Sequence, residues 1–110
     1  MDNIAFRPAT ELARLIRSRR ISSRELLEIY LSRIEKFNQQ INAVVTLDAE
    51  AARRQALCAD ERQARGESLG PLHGVPVTIK DGFETAGLRT TSGAPMYKDH
   101  IPRENAAAVQ

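Results

Sequence analysis

Apolar residues recur at helical spacing through the first forty positions and alternate with other residues between 75 and 80. Leu12, Leu15 and Ile16 make a short apolar face. Pro8 and Thr10 open it, with Thr10 as the expected N-cap and Glu11 suited to the positive helix end. Arg17-Ser18-Arg19-Arg20 closes it, which predicts a helix over about 10–19. The next start is the clearest in the chain: Ser22 and Glu25 form an S-x-x-E capping box, and Ile21 is placed to staple onto Leu26. Leu26, Leu27, Tyr30, Leu31, Ile34 and Phe37 then form a broad face expected to be buried, over about 22–39. Glu25, Glu28, Ser32, Arg33, Glu35 and Lys36 face water, and Asn38-Gln39-Gln40 ends the run. A third helix is predicted over about 48–65, capped by Asp48 and stopped by Gly66. Its apolar residues are mostly small (Ala49, Ala52, Ala56, Leu57, Ala59), so it packs closely, buries little and belongs on the surface of something larger.

Between and after these helices the period changes. Residues 42–47 predict a short strand centred on Ala43, Val44, Val45, Thr46 and Leu47. Val75, Val77 and Ile79 alternate with Pro76, Thr78 and Lys80, a period of two that predicts a strand over about 75–80. Gly66 to Gly74 is a loop before it, and Asp81-Gly82 ends it with a turn signal. Leu88 to Thr91 is a second short strand candidate, and Asn105 is the expected N-cap of a helix beginning at Ala106.

Composition narrows the classes. At 110 residues the chain suits at most one domain, and with three Phe, two Tyr and no Trp its core is thin. A net charge of +2 does not ask for a nucleic acid. The Arg17–Arg20 cluster suits a helix C-terminus and has no interleaved aromatic residues for base stacking. The single Cys58 cannot form an internal disulfide, which fits a reducing compartment, and is expected buried or half-buried on the third helix. No apolar run approaches membrane-spanning length and the start has no signal-peptide pattern, so the expectation is a soluble cytoplasmic protein. His73 has no nearby partner for a metal or proton-transfer site and is read as structural, as is Tyr30.

Lys80 is the chemical candidate. A lysine ending a strand is ordinarily a solvated charge that blunts an edge. The C-terminal end of a buried strand is also where open α/β sheets keep their chemistry. The run Gly74-Val75-Pro76-Val77-Thr78-Ile79-Lys80-Asp81, followed by Ala86-Gly87-Leu88-Arg89-Thr90-Thr91, resembles the first signature block of the amidase signature family. Gly82 stands where that family often has Asn, Ala94 where Ser commonly follows, and Asn105 where Asp commonly precedes Ala.

The resemblance implies an α/β fold, the N-terminal part of an α/β/α sandwich with a mixed central sheet on which the helices pack and in which 75–80 is a central strand. It implies a serine–serine–lysine triad with Lys80 as the catalytic lysine, and no cofactor or metal. The serines here, Ser18, Ser22, Ser23, Ser32, Ser68 and Ser92, have no Gly-Gly-Ser-Ser context. Residues 1–110 are therefore expected to be part of a single domain, truncated before the glycine- and serine-rich catalytic block and inactive alone. A neutral lysine must relay a proton from the nucleophilic serine through a bridging serine. Free lysine titrates at about 10.4, so burial has to bring it down. Alternation puts Asp81 on the opposite face from Lys80, where it does not hold the amine charged. The implied function is an amidase acting on C–N bonds of carboxylic amides. Two alternatives stand beside it: the A subunit of a glutamine-dependent aspartyl/glutamyl-tRNA amidotransferase, and a truncated non-catalytic binding or relic protein. The implied partners are a small-molecule amide and either a second copy or amidotransferase subunits, with no direct nucleic-acid or membrane contact.

Overall fold

The computed structural model describes residues 3–67 and 69–110. It contains three α-helices, α1 (Ala9–Arg17), α2 (Ser23–Ile41) and α3 (Ala49–Ala64), and short 3₁₀ turns at Ile4–Phe6 and Pro95–Tyr97. The chain divides into two units: residues to Ile41 together with Ala49–Pro76, and Asn42–Asp48 together with Val77–Gln110.

In the first unit, Ile4, Leu12, Leu15, Ile16, Ile21 and Leu26 form the core, with Ile29, Tyr30 and Val75 packed against it. Ile16 and Leu26 are 1% and 0% exposed. The helix ends follow from local chemistry. Thr10 is not the cap of α1; it is exposed in the first turn. Pro8 stands at the cap position, and its carbonyl accepts the N–H groups of Glu11 (2.9 Å) and Leu12 (3.0 Å). The capping box of α2 is formed as its sequence predicts. Ser22 N–H donates to Glu25 Oε2 (2.8 Å) and Glu25 N–H donates to Ser22 Oγ (3.1 Å). The Ser22 N–H and the Ser22 hydroxyl, which also donates to Oε2 (2.8 Å), hold the Glu25 carboxyl below its ordinary range.

A second carboxylate also closes that helix end, and no local pattern signals it. Asp60, from α3, accepts Ser23 N–H (2.7 Å) and Arg24 N–H (3.2 Å), satisfying amides that a helix start otherwise leaves unpaired. Arg53 joins the same two helices, donating to both Glu28 oxygens (2.7 and 3.1 Å) and to Glu50 (2.7 Å). Of the α3 residues only Ala56 is buried, and Cys58 is exposed rather than buried. The small-residue face of α3 covers too little area to enclose its neighbours.

The apolar stripe of α2 is covered only in its first half. Leu26 and Leu27 are buried, Tyr30, Leu31 and Ile34 are half-buried, and Phe37 and Ile41 are exposed. The nine residues of α1 rise about 1.5 Å each and cannot shield the nineteen of α2. Arg33, expected in water, instead lies over the rings of Phe6 (4.6 Å) and Phe37 (5.3 Å).

The predicted strands at 42–47 and 75–80 are not present: no strand occurs among the described residues, and the expected mixed sheet is absent from them. Alternation prepares a segment for a sheet, but a ladder needs a second segment to exchange hydrogen bonds with. Neither run forms a ladder among the described residues. The helix expected from Ala106 is a single turn closed by Val109 N–H to the Ala106 carbonyl (2.8 Å). Its expected cap, Asn105, is used elsewhere: Oδ1 accepts Ala86 N–H at 2.7 Å. No helix among the described residues is long and apolar enough to cross a membrane.

Candidate functional site

The loop that leads toward Lys80 is fastened to the helices of the first unit. Gly74 has φ +75, a conformation that strains other residues, and a Cβ there would stand 3.2 Å from Ser23 Cβ and 3.4 Å from Ile16 Cγ2, a tight fit in which those neighbours would have to give by a few tenths of an ångström. The buried Ser23 hydroxyl donates to the Gly74 carbonyl at 2.8 Å. His73 lies with Nε2 2.8 Å from the Ala59 carbonyl, so Nε2 carries the proton and the ring is a structural strut, as its isolation in the sequence suggests. Val75 then packs on the core. The first unit ends at Pro76.

Lys80 lies in the second unit and is exposed. Its carbonyl accepts Phe83 N–H at 2.9 Å, which forms the turn that Asp81-Gly82 signals. Among the described residues its ammonium makes no ion pair. The burial that the implied base chemistry asks of this lysine is not supplied by the described residues. The side-chain methylenes run beside Gly82, where an added Cβ would meet Lys80 Cε at 3.7 Å and Cδ at 3.9 Å, ordinary contact distances. Space therefore does not demand glycine at position 82.

Asp81 turns to a different partner. Its Oδ1 accepts Thr91 N–H at 2.9 Å, and its Oδ2 accepts the Thr91 hydroxyl in a short hydrogen bond. Thr91 Oγ1 accepts Gly93 N–H (3.2 Å), and Ser92 N–H reaches the Asp81 carbonyl (3.0 Å). Hydrogen bonds from the Thr91 side chain and backbone, then that of Gly93 and the charge of Arg89, hold the Asp81 carboxyl below its ordinary range. The Lys-Asp pair and the Thr-Thr pair of the sequence block are thus joined through their second members, Asp81 and Thr91. Their separation of ten residues carried the signal, but spacing alone does not say which two residues bond.

The rest of the unit is fixed by similar polar ties. Thr90 N–H donates to the His100 carbonyl (2.9 Å), Gly87 N–H to the Pro102 carbonyl (3.0 Å) and Ala106 N–H to the Glu84 carbonyl (2.8 Å). Thr46 Oγ1 reaches the Arg89 carbonyl (3.2 Å), and His100 Nε2 lies 2.9 Å from Glu84 Oε1. No group of three or more His, Cys, Asp or Glu side chains gathers among the described residues. Ser18, Ser22 and Ser23 are taken up in helix-end and loop contacts, and Ser68 lies outside the described residues.

A family profile described as Amidase matches residues 25–110, from the second helix through the whole Lys80–Thr91 structure. The chain belongs to the amidase family. It is similar to the A subunit of the glutamyl-tRNA(Gln) amidotransferase of Acidothermus cellulolyticus, 39% identical over 110 residues, which is 100% of this chain and 22% of that protein. It is also similar to an acylamidase of Rhodococcus erythropolis, 41% identical over 98% of this chain and 23% of that protein. A solved bacterial aryl acylamidase of the amidase signature enzymes superposes with a TM-score of 0.81 at 34% identity, over 94% of this chain and 21% of the other. This amidase-family chain spans about a fifth of the length of the relatives it matches.

Proposed function

We propose that the chain is the lysine-bearing part of an amidase that hydrolyses the C–N bond of a carboxylic amide, with Lys80 as the general base. The observation that carries this reading is the commitment of both Asp81 carboxylate oxygens to Thr91, which leaves Lys80 without a carboxylate partner among the described residues. Two serines from the remaining length of a family-sized enzyme complete the site, and the segment at 75–80 joins a mixed sheet there that buries the amine. The neutral Lys80 Nζ then takes the proton of a bridging serine, which takes that of the nucleophilic serine as its oxygen attacks the amide carbonyl. The same relay returns a proton to the leaving nitrogen, and water releases the acyl group. By this reading the 110-residue chain alone hydrolyses no amide.

The test uses the enzyme at family length. Lys80→Ala should lower kcat/KM on a simple aromatic amide by about a hundredfold or more with the circular dichroism spectrum unchanged. Lys80→Arg should fail nearly as badly, because a guanidinium keeps its charge. An arginine variant with near-normal activity would mean a solvated edge charge and end the proposal. A second reading, an amidotransferase component that passes ammonia to partner subunits, draws on the likeness to the Acidothermus protein. Glutaminase activity that appears only with co-purified partner subunits would favour it over a free-standing amidase.

A further inference from the structure

Asp81 directly follows the proposed base, and a carboxylate beside a lysine favours the protonated amine. Alternation along an extended segment sends the two side chains to opposite faces, but a half-buried carboxylate such as that of Asp81 can still rotate toward a neighbouring ammonium. In this structure the carboxylate is turned to Thr91 instead. Its N–H occupies Oδ1 at 2.9 Å and its hydroxyl occupies Oδ2, so one residue holds both oxygens. Thr91 is itself held. Gly93 N–H donates to its Oγ1, and Ser92 N–H ties the same loop to the Asp81 carbonyl. Ser92 and Gly93 have φ of 51° and 66°, the left-handed turn that brings these amides back onto Asp81. Among the described residues the charge that acts on the carboxylate is Arg89, more weakly than Thr91, and Lys80 is its chain neighbour.

We infer that Thr91 is a positioning residue: by holding both oxygens of Asp81 it keeps that carboxylate from pairing with Lys80 Nζ and so sets the pH range in which the amine works as a base. The inference rests on the reading of Lys80 as the base. Thr91→Val keeps the shape of the side chain and removes the hydroxyl that occupies Oδ2. Released on one side, the carboxylate can turn toward the ammonium.

The measurement is kcat/KM against pH for the family-length enzyme. Thr91→Val should move the acid limb upward by about half a pH unit, the size expected for a charge drawn a few Å closer in a partly wet site. Thr91→Ser keeps the hydroxyl and should hold the limb in place, and Asp81→Asn added to Thr91→Val should bring it back. A purely structural role would lower the melting temperature and kcat without moving the limb. An unmoved limb in a folded Thr91→Val enzyme therefore overturns the inference. Should that variant fail to fold, Asp81→Asn alone decides: a limb displaced by less than about half a unit supports a carboxylate held apart from the base, and a larger downward shift overturns it. The two readings fail separately. Activity surviving in Lys80→Arg removes the base itself, whereas an inactive Lys80→Arg beside an unmoved Thr91→Val limb removes only the role of Thr91.

Discussion

The two units of this chain are held by different forces. All the buried hydrophobic residues described, from Ile4 to Ala56, belong to the helical unit, where apolar side chains from α1 and α2 meet over a small core. In the unit that carries Lys80, the buried residues are Thr90 and Pro102, while Val77, Phe83, Met96, Tyr97 and Ile101 face outward. That unit keeps its shape through polar ties: Asp81 to Thr91, Asn105 to Ala86, and backbone bonds from 84–90 to 100–106. The exposed apolar residues of that unit are the ones that the proposed mixed sheet would cover. A region whose backbone groups are bonded before it is covered presents a fixed surface. The chemistry proposed for Lys80 needs both, since a base must be placed accurately and then dried.

The largest loss is expected in the helical core. Leu26, 0% exposed, should cost about 2–5 kcal/mol of stability when changed to Ala, read as the urea midpoint of the 110-residue chain. Val77, 69% exposed, should alter the stability read from the same transition by less than about 0.5 kcal/mol when changed to Ala. Equal losses at the two positions would mean that the second unit has a core of its own.

Much of the helical unit was legible because its signals are local. The period of Leu12, Leu15 and Ile16, the box of Ser22 and Glu25, and the stop at Gly66 each act within a turn or two, where sequence distance and spatial distance agree. Asp60 was not legible as a cap, because it lies 36 and 37 residues from the amides it holds. The strands at 42–47 and 75–80 were expected from alternation, which is local, whereas a ladder is not. At the candidate site the turn after Lys80 was legible from Asp81-Gly82, whereas Lys80 itself was singled out by the resemblance and not by pattern. Alternation separated Asp81 from it, but that Thr91 is where Asp81 goes depends on a loop closing over ten residues. Cys58 shows the limit of residue type as a guide: a side chain that prefers burial stays outside on a helix whose neighbours are too small to cover it.

Acid tests the polar half of the comparison. A carboxyl held below its ordinary value contributes stability that is fully present above the unfolded-state value and is lost as pH falls through the folded-state value. For Asp81 the loss begins as pH drops through the ordinary value of 3.8 and continues below it, as the carboxyl takes up its proton and the Thr91 bonds weaken. Amide exchange at Thr91 and Gly93 should therefore speed up, relative to the intrinsic rate, between neutral pH and pH 3. In Asp81→Asn the extra opening should already be present at neutral pH and change little on acidification. Wild-type protection that stays constant down to pH 3 would show that the carboxylate does not hold the loop.

The smallest effect separates two helix ends that share one design. α1 and α3 both close in Schellman fashion. Arg20 N–H reaches the Leu15 carbonyl and Arg19 N–H that of Ile16 at 2.9 and 2.8 Å, while Glu67 N–H reaches Arg62 and Gly66 N–H reaches Gln63 at 3.2 and 3.1 Å. The left-handed residue is Arg19 (φ 57°) in one and Gly66 (φ 71°) in the other. An L-residue in that conformation costs roughly 1–2 kcal/mol, and a cation at a helix C-terminus returns about 0.3–1 kcal/mol of it at low salt. Arg19→Gly should therefore stabilise the chain by roughly 0.5 kcal/mol at low ionic strength, and by more at high salt, where the charge is screened. Gly66→Ala meets no atom within 4 Å, so it isolates the backbone cost and should destabilise by about 1 kcal/mol regardless of salt. A destabilised Arg19→Gly at every ionic strength would show that the arginine is held there by a contact worth more than its strain.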